Sequence, residues 1–447
     1  MKKSRIILIS IAAFVGALLA AGAWFYLWST SFSGDIAWKS DSIPAPMQTP
    51  TALTLEPLGW PEWLGPTHNN ESPVTGIQKD WSHGLKKVWE IGYLCKGAKA
   101  MSWSCPAIRG NRLVVPGRDE VNDYIFCLDP ENGKLIWLRK YPLAAKNNYG
   151  QGQRATPTID MNNVYTVSRE GDVRCHALYD GTLIWEFNIT NAGCTPPEWG
   201  SAGSPLVYKD RVILHAGGGA LAIALDKKTG ALLWKSRPAM GCYSTPALMN
   251  IGGIDYAVIL HKPGISFIHA DSGKAAWDIP AGKFATEMMV TTPAVYNEYV
   301  FASTMKGGGS IVARVENGRP KKIWQNDAIK SYQSNPVIKD GYIYCYSGMP
   351  IINSGSFVCA ELATGKKMWE TDRIGHGTSI YADGHIICLD IQGNLFLVKP
   401  DPKEFILVSE IKHFVPEGKK RTWTKPIIAN DKLYIRHGNT LACYRLK

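Results

Sequence analysis

Apolar and polar residues alternate in short runs along most of the chain, and Gly, Pro, Asn and Asp punctuate the runs. Val164-Tyr165-Thr166-Val167 and Tyr342-Ile343-Tyr344-Cys345 each follow a turn, and Ile125-Phe126-Cys127-Leu128-Asp129 precedes one. A period of two, broken every few residues by turn formers, predicts short β-strands joined by hairpins. The runs recur at long range. A small turn, a Gly and, after three to five intervening residues, a Trp appear at Asn132-Gly133 with Trp137, Asp180-Gly181 with Trp185, Thr229-Gly230 with Trp234, and Ser272-Gly273 with Trp277. Asn317-Gly318 with Trp324 and Thr364-Gly365 with Trp369 continue the series, and Trp89 repeats its second half. From Trp89 onward the tryptophans are 48, 48, 49, 43, 47 and 45 residues apart. Intervals that close mark a repeat architecture.

A second marker runs in phase with the first. A small or polar residue precedes Pro and an apolar stretch at Cys105-Pro106, Thr156-Pro157, Ser204-Pro205, Thr245-Pro246, Thr292-Pro293, Asn335-Pro336 and Lys425-Pro426. Thr378-Ser379-Ile380 takes the remaining slot without Pro. Proline at the first residue of a strand need not donate into the ladder. Each unit therefore reads as four short strands, the fourth carrying a Trp long enough to reach the next unit. Eight strand starts stand against seven Trp strands; Glu404 to Val408 fills the eighth place with its Trp lost. Trp89 precedes every Pro marker, and the last unit, Lys425 to Lys447, ends after three strands. Ring closure resolves both facts. Residues 85 to 92 supply the fourth strand of the C-terminal blade, which removes the open edges. The expected fold is all-β: an eight-bladed β-propeller of four-stranded antiparallel blades, closed by an N-terminal strand.

Ahead of the repeat lie two other segments. Lys2, Lys3 and Arg5 precede an uncharged stretch from Ile6 to Trp28, long enough to cross a bilayer core. Trp24, Phe25, Tyr26 and Trp28 suit an interfacial belt, so residues 1–28 read as a transmembrane anchor with its start in the cytoplasm. A signal peptide cleaved at Ala21-Gly22-Ala23 is the alternative, disfavoured because the apolar run continues past that site. Either way the rest is exported, to the periplasm or cell exterior if anchored and to the medium if cleaved. Residues 29–58, rich in Ser, Thr and Pro, read as a linker, and residues 59–447 as the propeller.

Composition and charge narrow the picture further. The net charge of +11 is scattered, without a basic helix or an aromatic RNA-binding motif, so it describes a solvated surface and not a nucleic-acid site. The triplets Gly217-Gly218-Gly219 and Gly307-Gly308-Gly309 lack the Lys-Ser/Thr context of a phosphate loop and read as hairpin turns. The histidines His215, His261, His269, His385 and His437 fall in different blades, and no metal site is expected. Of ten cysteines, Cys127, Cys175, Cys359 and Cys443 recur at one place in the third strand, as small buried residues do. Cys95 with Cys105, and Cys194 with Cys242, lie on loops and are the candidates for disulfides.

Leu225-Asp226-Lys227-Lys228-Thr229-Gly230-Ala231-Leu232-Leu233-Trp234 resembles the PQQ-like, quinoprotein-type propeller repeat, and the resemblance covers about residues 60 to 447. Trp60-Pro61-Glu62-Trp63-Leu64-Gly65-Pro66 is similar to the leading segment of PQQ-like repeat proteins of unassigned function from planctomycete-type bacteria. So are Gly152-Gln153-Arg154-Ala155-Thr156-Pro157 and Glu198-Trp199-Gly200-Ser201-Ala202-Gly203-Ser204-Pro205. The same repeat builds BamB-like scaffolds without cofactor and the quinoprotein alcohol dehydrogenases. It implies that the Pro-marked strands are innermost, which places Arg154, Glu198, Trp199, Tyr243, Glu287 and His376 on loops around the central channel. The dehydrogenases hold PQQ with calcium beneath two adjacent cysteines. No two cysteines are adjacent here, and no Cys-x-x-Cys-His haem site exists. The expected function is therefore a binding or scaffolding module of the cell envelope, with no cofactor and with an envelope protein or polymer as partner. The alternative is a PQQ-dependent oxidoreductase acting on alcohols or sugars.

Overall fold

The computed structural model describes residues 40–97, 100–144, 150–281, 289–305, 308–349, 354–415 and 422–447. The proposed anchor and the start of the linker lie outside them, and none of the described helices is long and apolar enough to cross a membrane. The described residues form eight sheets of four antiparallel strands, one of which gains a short fifth strand. Blade 1 comprises Ala107–Arg109, Arg112–Arg118, Asn122–Leu128 and Leu135–Pro142. Blades 2 to 7 follow at 158–188, 206–235, 247–280, 294–326, 337–371 and 377–411. Blade 8 takes three strands from 427–445 and its fourth from Lys87–Ile91, where Trp89 pairs with Cys443 across an antiparallel ladder. The closure expected for residues 85 to 92 is thus present.

Both sequence markers have structural work to do between blades. The turn Gly has φ of +71° at Gly133, +78° at Gly181 and +74° at Gly230, values an L side chain seldom adopts. A Cβ at any of the three would sit within 2.6 to 2.8 Å of the indole of the preceding blade: Trp89, Trp137 and Trp185 respectively. The indoles lie on their neighbours' turns and donate from Nε1 into them, as Trp137 does to Leu178 O at 3.0 Å and Trp324 to Leu362 O at 2.8 Å; Trp277 departs from this, since a Cβ on Gly318 would meet nothing within 4 Å. The Pro marker staples the inner ends of the blades. The amide of Cys105 donates to Thr156 Oγ1, that of Thr156 to Ser204 Oγ, and that of Ser204 to Thr245 Oγ1, at 2.9 to 3.2 Å.

Blade 7 departs from the pattern. Its fourth strand, Ile406–Ile411, sets Ser409 opposite Leu397, in the register that Trp occupies elsewhere. Ser409 Oγ donates to Lys79 O at 2.6 Å and accepts the Trp81 amide at 3.2 Å. Trp81, 1% exposed, enters the core shared by blades 7, 8 and 1. The N-terminal segment thus bonds the strand where its Trp is lost, and buries an indole of its own in the adjoining core.

Alternating strand direction decides what faces where. The start of every first strand, the turn between the second and third strands, and the link from each fourth strand to the next blade share one face. The Gly-Trp turns lie on the other. Residues 47 to 55, from the Ser/Thr/Pro-rich stretch, carry no strand but lie against blade 1, with Met47, Leu53 and Leu55 on its core and Thr51 O accepting from Arg112 at 2.6 Å.

Candidate functional site

A ring of eight first strands leaves an axial channel, and residues 60 to 72 occupy one end of it. Trp60 exchanges backbone hydrogen bonds with Ile108 of blade 1, and Pro61 O accepts from Ile159 of blade 2. A crevice of about 10 Å³, room for one water, separates Glu62, Trp63 and Leu64 from the first strands of blades 3 and 4. Trp63 Nε1 donates to Thr292 Oγ1 ahead of blade 5 at 3.0 Å, and Glu71 lies 3.8 Å from Lys339 of blade 6. Glu71–Ser72 then adds a parallel fifth strand to the inner edge of blade 7. From blade 8, Lys425 Nζ donates to Trp63 O and to Asn70 Oδ1, 4.0 Å from the Trp63 ring and 5.3 Å from that of Trp60. Burial pulls its ammonium down to about 7. One segment of thirteen residues therefore meets all eight blades. It also identifies the Pro-marked strands as the innermost.

At the opposite end the inter-blade loops converge. Arg154 lies with its guanidinium 4.7 Å from the Trp103 ring. The approach depends on Gly150 and Gly152: a Cβ on the first would come within 2.7 Å of Trp103, and on the second within 2.6 Å of Ser102. Dense packing around Arg154, although part of its surface stays open, brings its guanidinium down to about 9, and the like charge of Arg169 adds to the effect. Arg169, on the turn between the second and third strands of blade 2, is 1% exposed, and its own guanidinium is lowered chiefly by burial. Gly200 lies on its stem, where a Cβ would come within 2.2 Å, and the Ser201 amide donates to its carbonyl at 2.8 Å. Next along the chain, Trp199 stacks on Tyr243 with centroids 5.7 Å apart and planes at 21°, and its amide donates to the Tyr243 hydroxyl at 3.2 Å. Tyr332, from the link between blades 5 and 6, is close enough for Tyr243 and Arg154 to act on its hydroxyl through space. Burial pushes both phenols up to about 12.

Tyr243 is itself held from below. His215 Nδ1 contacts Ser244 O at 3.0 Å, and its Nε2 accepts the Cys242 amide at 3.2 Å. The two bonds define a neutral tautomer, donating from Nδ1 and accepting at Nε2. Burial lowers this histidine to about 4.

Of the residues expected around the channel, the structure brings Arg154, Trp199 and Tyr243 together, with exposed Glu198 at the rim acting on Tyr243 through space. His376, just ahead of the first strand of blade 7, lines a second concavity of about 550 Å³ between blades 6 and 7, with Asp372, Arg373, Gln392, Asn394 and Phe396. Glu287 lies outside the described residues. Trp103, Arg169 and Tyr332 were missing from the sequence reading. A register signal existed for Trp103, which stands two residues before its small-residue–Pro marker as Arg154 and Tyr243 do. Arg169 carries no such mark. The two candidate disulfides do not form: Cys95, Cys105, Cys194 and Cys242 are buried free thiols, as are the other six. The recurrent third-strand cysteines instead oppose tryptophans, as Cys127 does Trp137 and Cys359 does Trp369.

A calcium–quinone centre requires several carboxylate and amide oxygens converging on one point. Among the described residues no three His, Cys, Asp or Glu side chains converge in that way. The mouth offers guanidinium, indole and phenol groups instead, which do not suit a hard cation.

Comparison with known proteins adds kinship to this geometry. The family described as outer membrane protein assembly factor BamB matches residues 121–371, more than half of the chain. The outer membrane protein assembly factor BamB of Moranella endobia (strain PCIT) is 25% identical over 286 residues, covering 58% of this chain and 66% of its own length, just under two thirds. The crystal structure of BamB from Moraxella catarrhalis superposes with a TM-score of 0.58 at 16% identity, over 81% of this chain and 98% of that one. Quinohemoprotein alcohol dehydrogenase from Comamonas testosteroni gives 0.58 at 11% identity, over 86% of this chain and 80% of that one. At such identities the structural likeness speaks for the fold alone.

Proposed function

The chain belongs to the outer membrane protein assembly factor BamB family, and from that membership we propose that it is a binding and scaffolding propeller of the cell envelope. Its working surface is the mouth around Arg154, Arg169, Trp199 and Tyr243, and its partner is an envelope protein. The observation that carries the reading is the one-ended channel: residues 60 to 72 plug one end, while aromatic and cationic side chains gather at the other. Aromatic rings and arginine are the groups enriched where proteins anchor one another. The charged and apolar N-terminal stretch supports export with attachment to the membrane.

The test uses a photo-crosslinking amino acid at Glu198, on the rim, and at Lys274, an exposed residue on the opposite face, in the native envelope. A discrete adduct from Glu198 that is absent from Lys274 is the expected result; equal labelling from both faces, or from neither, counts against the mouth. Adding PQQ and calcium to the purified propeller is expected to leave its Tm unchanged. A Tm that climbs with quinone concentration, together with dye reduction on alcohols or sugars, would put an oxidoreductase in place of the scaffold.

A further inference from the structure

Arg169 is the most unusual group in the mouth. It is buried to 1% exposure, and neither Nε nor Nη1 has a hydrogen-bond partner. A guanidinium offers five N–H donors and stays charged, so leaving the three on Nε and Nη1 unmet inside a protein is costly. Local acids do not meet the need. Asp123 is bonded to Arg118 at 2.7 Å, and Glu170, next in the chain, acts through space on both Arg169 and Arg154, while Arg169 Nε and Nη1 stay unmet. The neighbouring Arg154 adds positive charge to the same end of the channel. Around the pair stand Trp103, the stacked Trp199 and Tyr243, and Tyr332.

We propose that the mouth is a receptor for an acidic segment of a partner protein, one carboxylate of which pairs with Arg169 while the flanking residues lie against Trp199 and Tyr243. The inference rests on the scaffold reading and gives its partner a chemistry. Three features favour a protruding peptide. Guanidinium binds carboxylate in a bidentate fork, end-on through Nη1 and Nη2 or side-on through Nε and Nη2, and either fork gives one of the two unmet nitrogens a partner. The aromatic faces flanking it suit side-chain and backbone contact along an extended segment. The far end is filled by residues 60 to 72, so whatever enters must also leave by the mouth, as a loop or chain end does. The net charge of +11 draws acidic partners in from a distance.

The probe is a fluorescently labelled acetyl-Gly-Glu-Tyr-Glu-Gly-amide, compared by anisotropy with its Gln-for-Glu counterpart on the intact propeller. The acidic peptide is expected to bind about tenfold more tightly, as one desolvated charge pair allows, and to weaken with added salt. Arg169→Gln is expected to bring the two peptides within about twofold of each other, the size of a residual screened contribution. Should that variant lose its fold by thermal denaturation, Trp199→Ala, at a half-exposed ring, is expected to weaken both peptides equally while the preference for Glu remains. Equal affinity of the two peptides, or no binding, overturns the inference. Citrate binding as tightly as the peptide also overturns it, in favour of a small free anion. The scaffold reading fails separately: if the Glu198 adduct forms undiminished with Arg169→Gln, only the acidic segment is lost, whereas no adduct from Glu198 removes the scaffold itself.

Discussion

Glycine and histidine place the side chains of the mouth. Gly150, Gly152 and Gly200 leave room for Trp103, Ser102 and the stem of Arg169, and larger residues there would push the loops off the axis. His215 works differently, by bonding the residues on either side of Tyr243. This makes the mouth acid-sensitive. Folded, His215 resists protonation down to about 4, and His261, also lowered mainly by burial, to about 4; unfolded, both titrate near 6.5. Between those values the unfolded chain binds more protons, so stability is full above pH 6.5 and falls as pH drops towards 4. One such histidine accounts for about 3 kcal/mol at most over the window. His215→Gln is expected to lower the urea midpoint at pH 7 but to shrink its further decline at pH 4.5. The same decline in both proteins would remove His215 from the acid response. The reading of Arg154, Trp199 and Tyr243 from sequence succeeded because each precedes a strand start that can be counted. Arg169 escaped it because its place on the axis follows from a glycine thirty-one residues away, and no local pattern records that contact.

Strands obey the two sequence markers because each marker is a contact between blades. The turn glycine receives an indole, and the residue before Pro bonds the next blade's counterpart, so loss of either leaves a visible mismatch. Blade 7 shows how the fold absorbs one. Sequence counting places the missing Trp within Glu404 to Val408; the register places the vacancy at Ser409, which stands beside the same bulge as Trp137 does in blade 1. Trp81, with no repeat of its own to announce it, is buried in the adjoining core. Trp81→Ala is expected to cost about 3 to 5 kcal/mol, the usual range for a buried aromatic. Adding Ser409→Trp to that variant is expected to recover part of the loss, since the strand then supplies the indole as the other seven do. Each change by itself is expected to be destabilising. Simple additivity of the two in denaturant melts would show that Trp81 and Ser409 do not share a site.

Closure and plugging both come from the segment ahead of the repeat, and they have different physical consequences. The strand Lys87–Ile91 covers the third strand of blade 8, whose edge groups would otherwise be free to pair with another chain. The stretch 60 to 72 instead spans the axis, with backbone bonds to the first strands of blades 1, 2 and 7 and side-chain contacts to blades 5, 6 and 8, and turns a through-channel into a cup. Ring repeats gain stability from neighbour contacts, so an open ring loses one whole interface whereas an unplugged ring loses only its axial contacts. Chains beginning at Leu58, Leu85 and Gly97 separate the two effects. The first is expected to unfold cooperatively as a monomer. The second, which keeps the closing strand but lacks the plug and Trp81, is expected to stay monomeric with a lower Tm. The third, without Trp89 on Gly133, is expected to melt over a broad range and to self-associate through the bared edge of blade 8. Light scattering with calorimetry reads both properties. If the Gly97 chain matches the Leu58 chain in Tm and mass, the ring is not held by Lys87–Ile91. If the Leu85 chain keeps both Tm and the mouth's peptide affinity, the plug is a passenger. The mouth is expected to weaken with the plug's removal, because the loops that carry Trp103 and Arg154 lead into first strands that residues 60 and 61 hold in place.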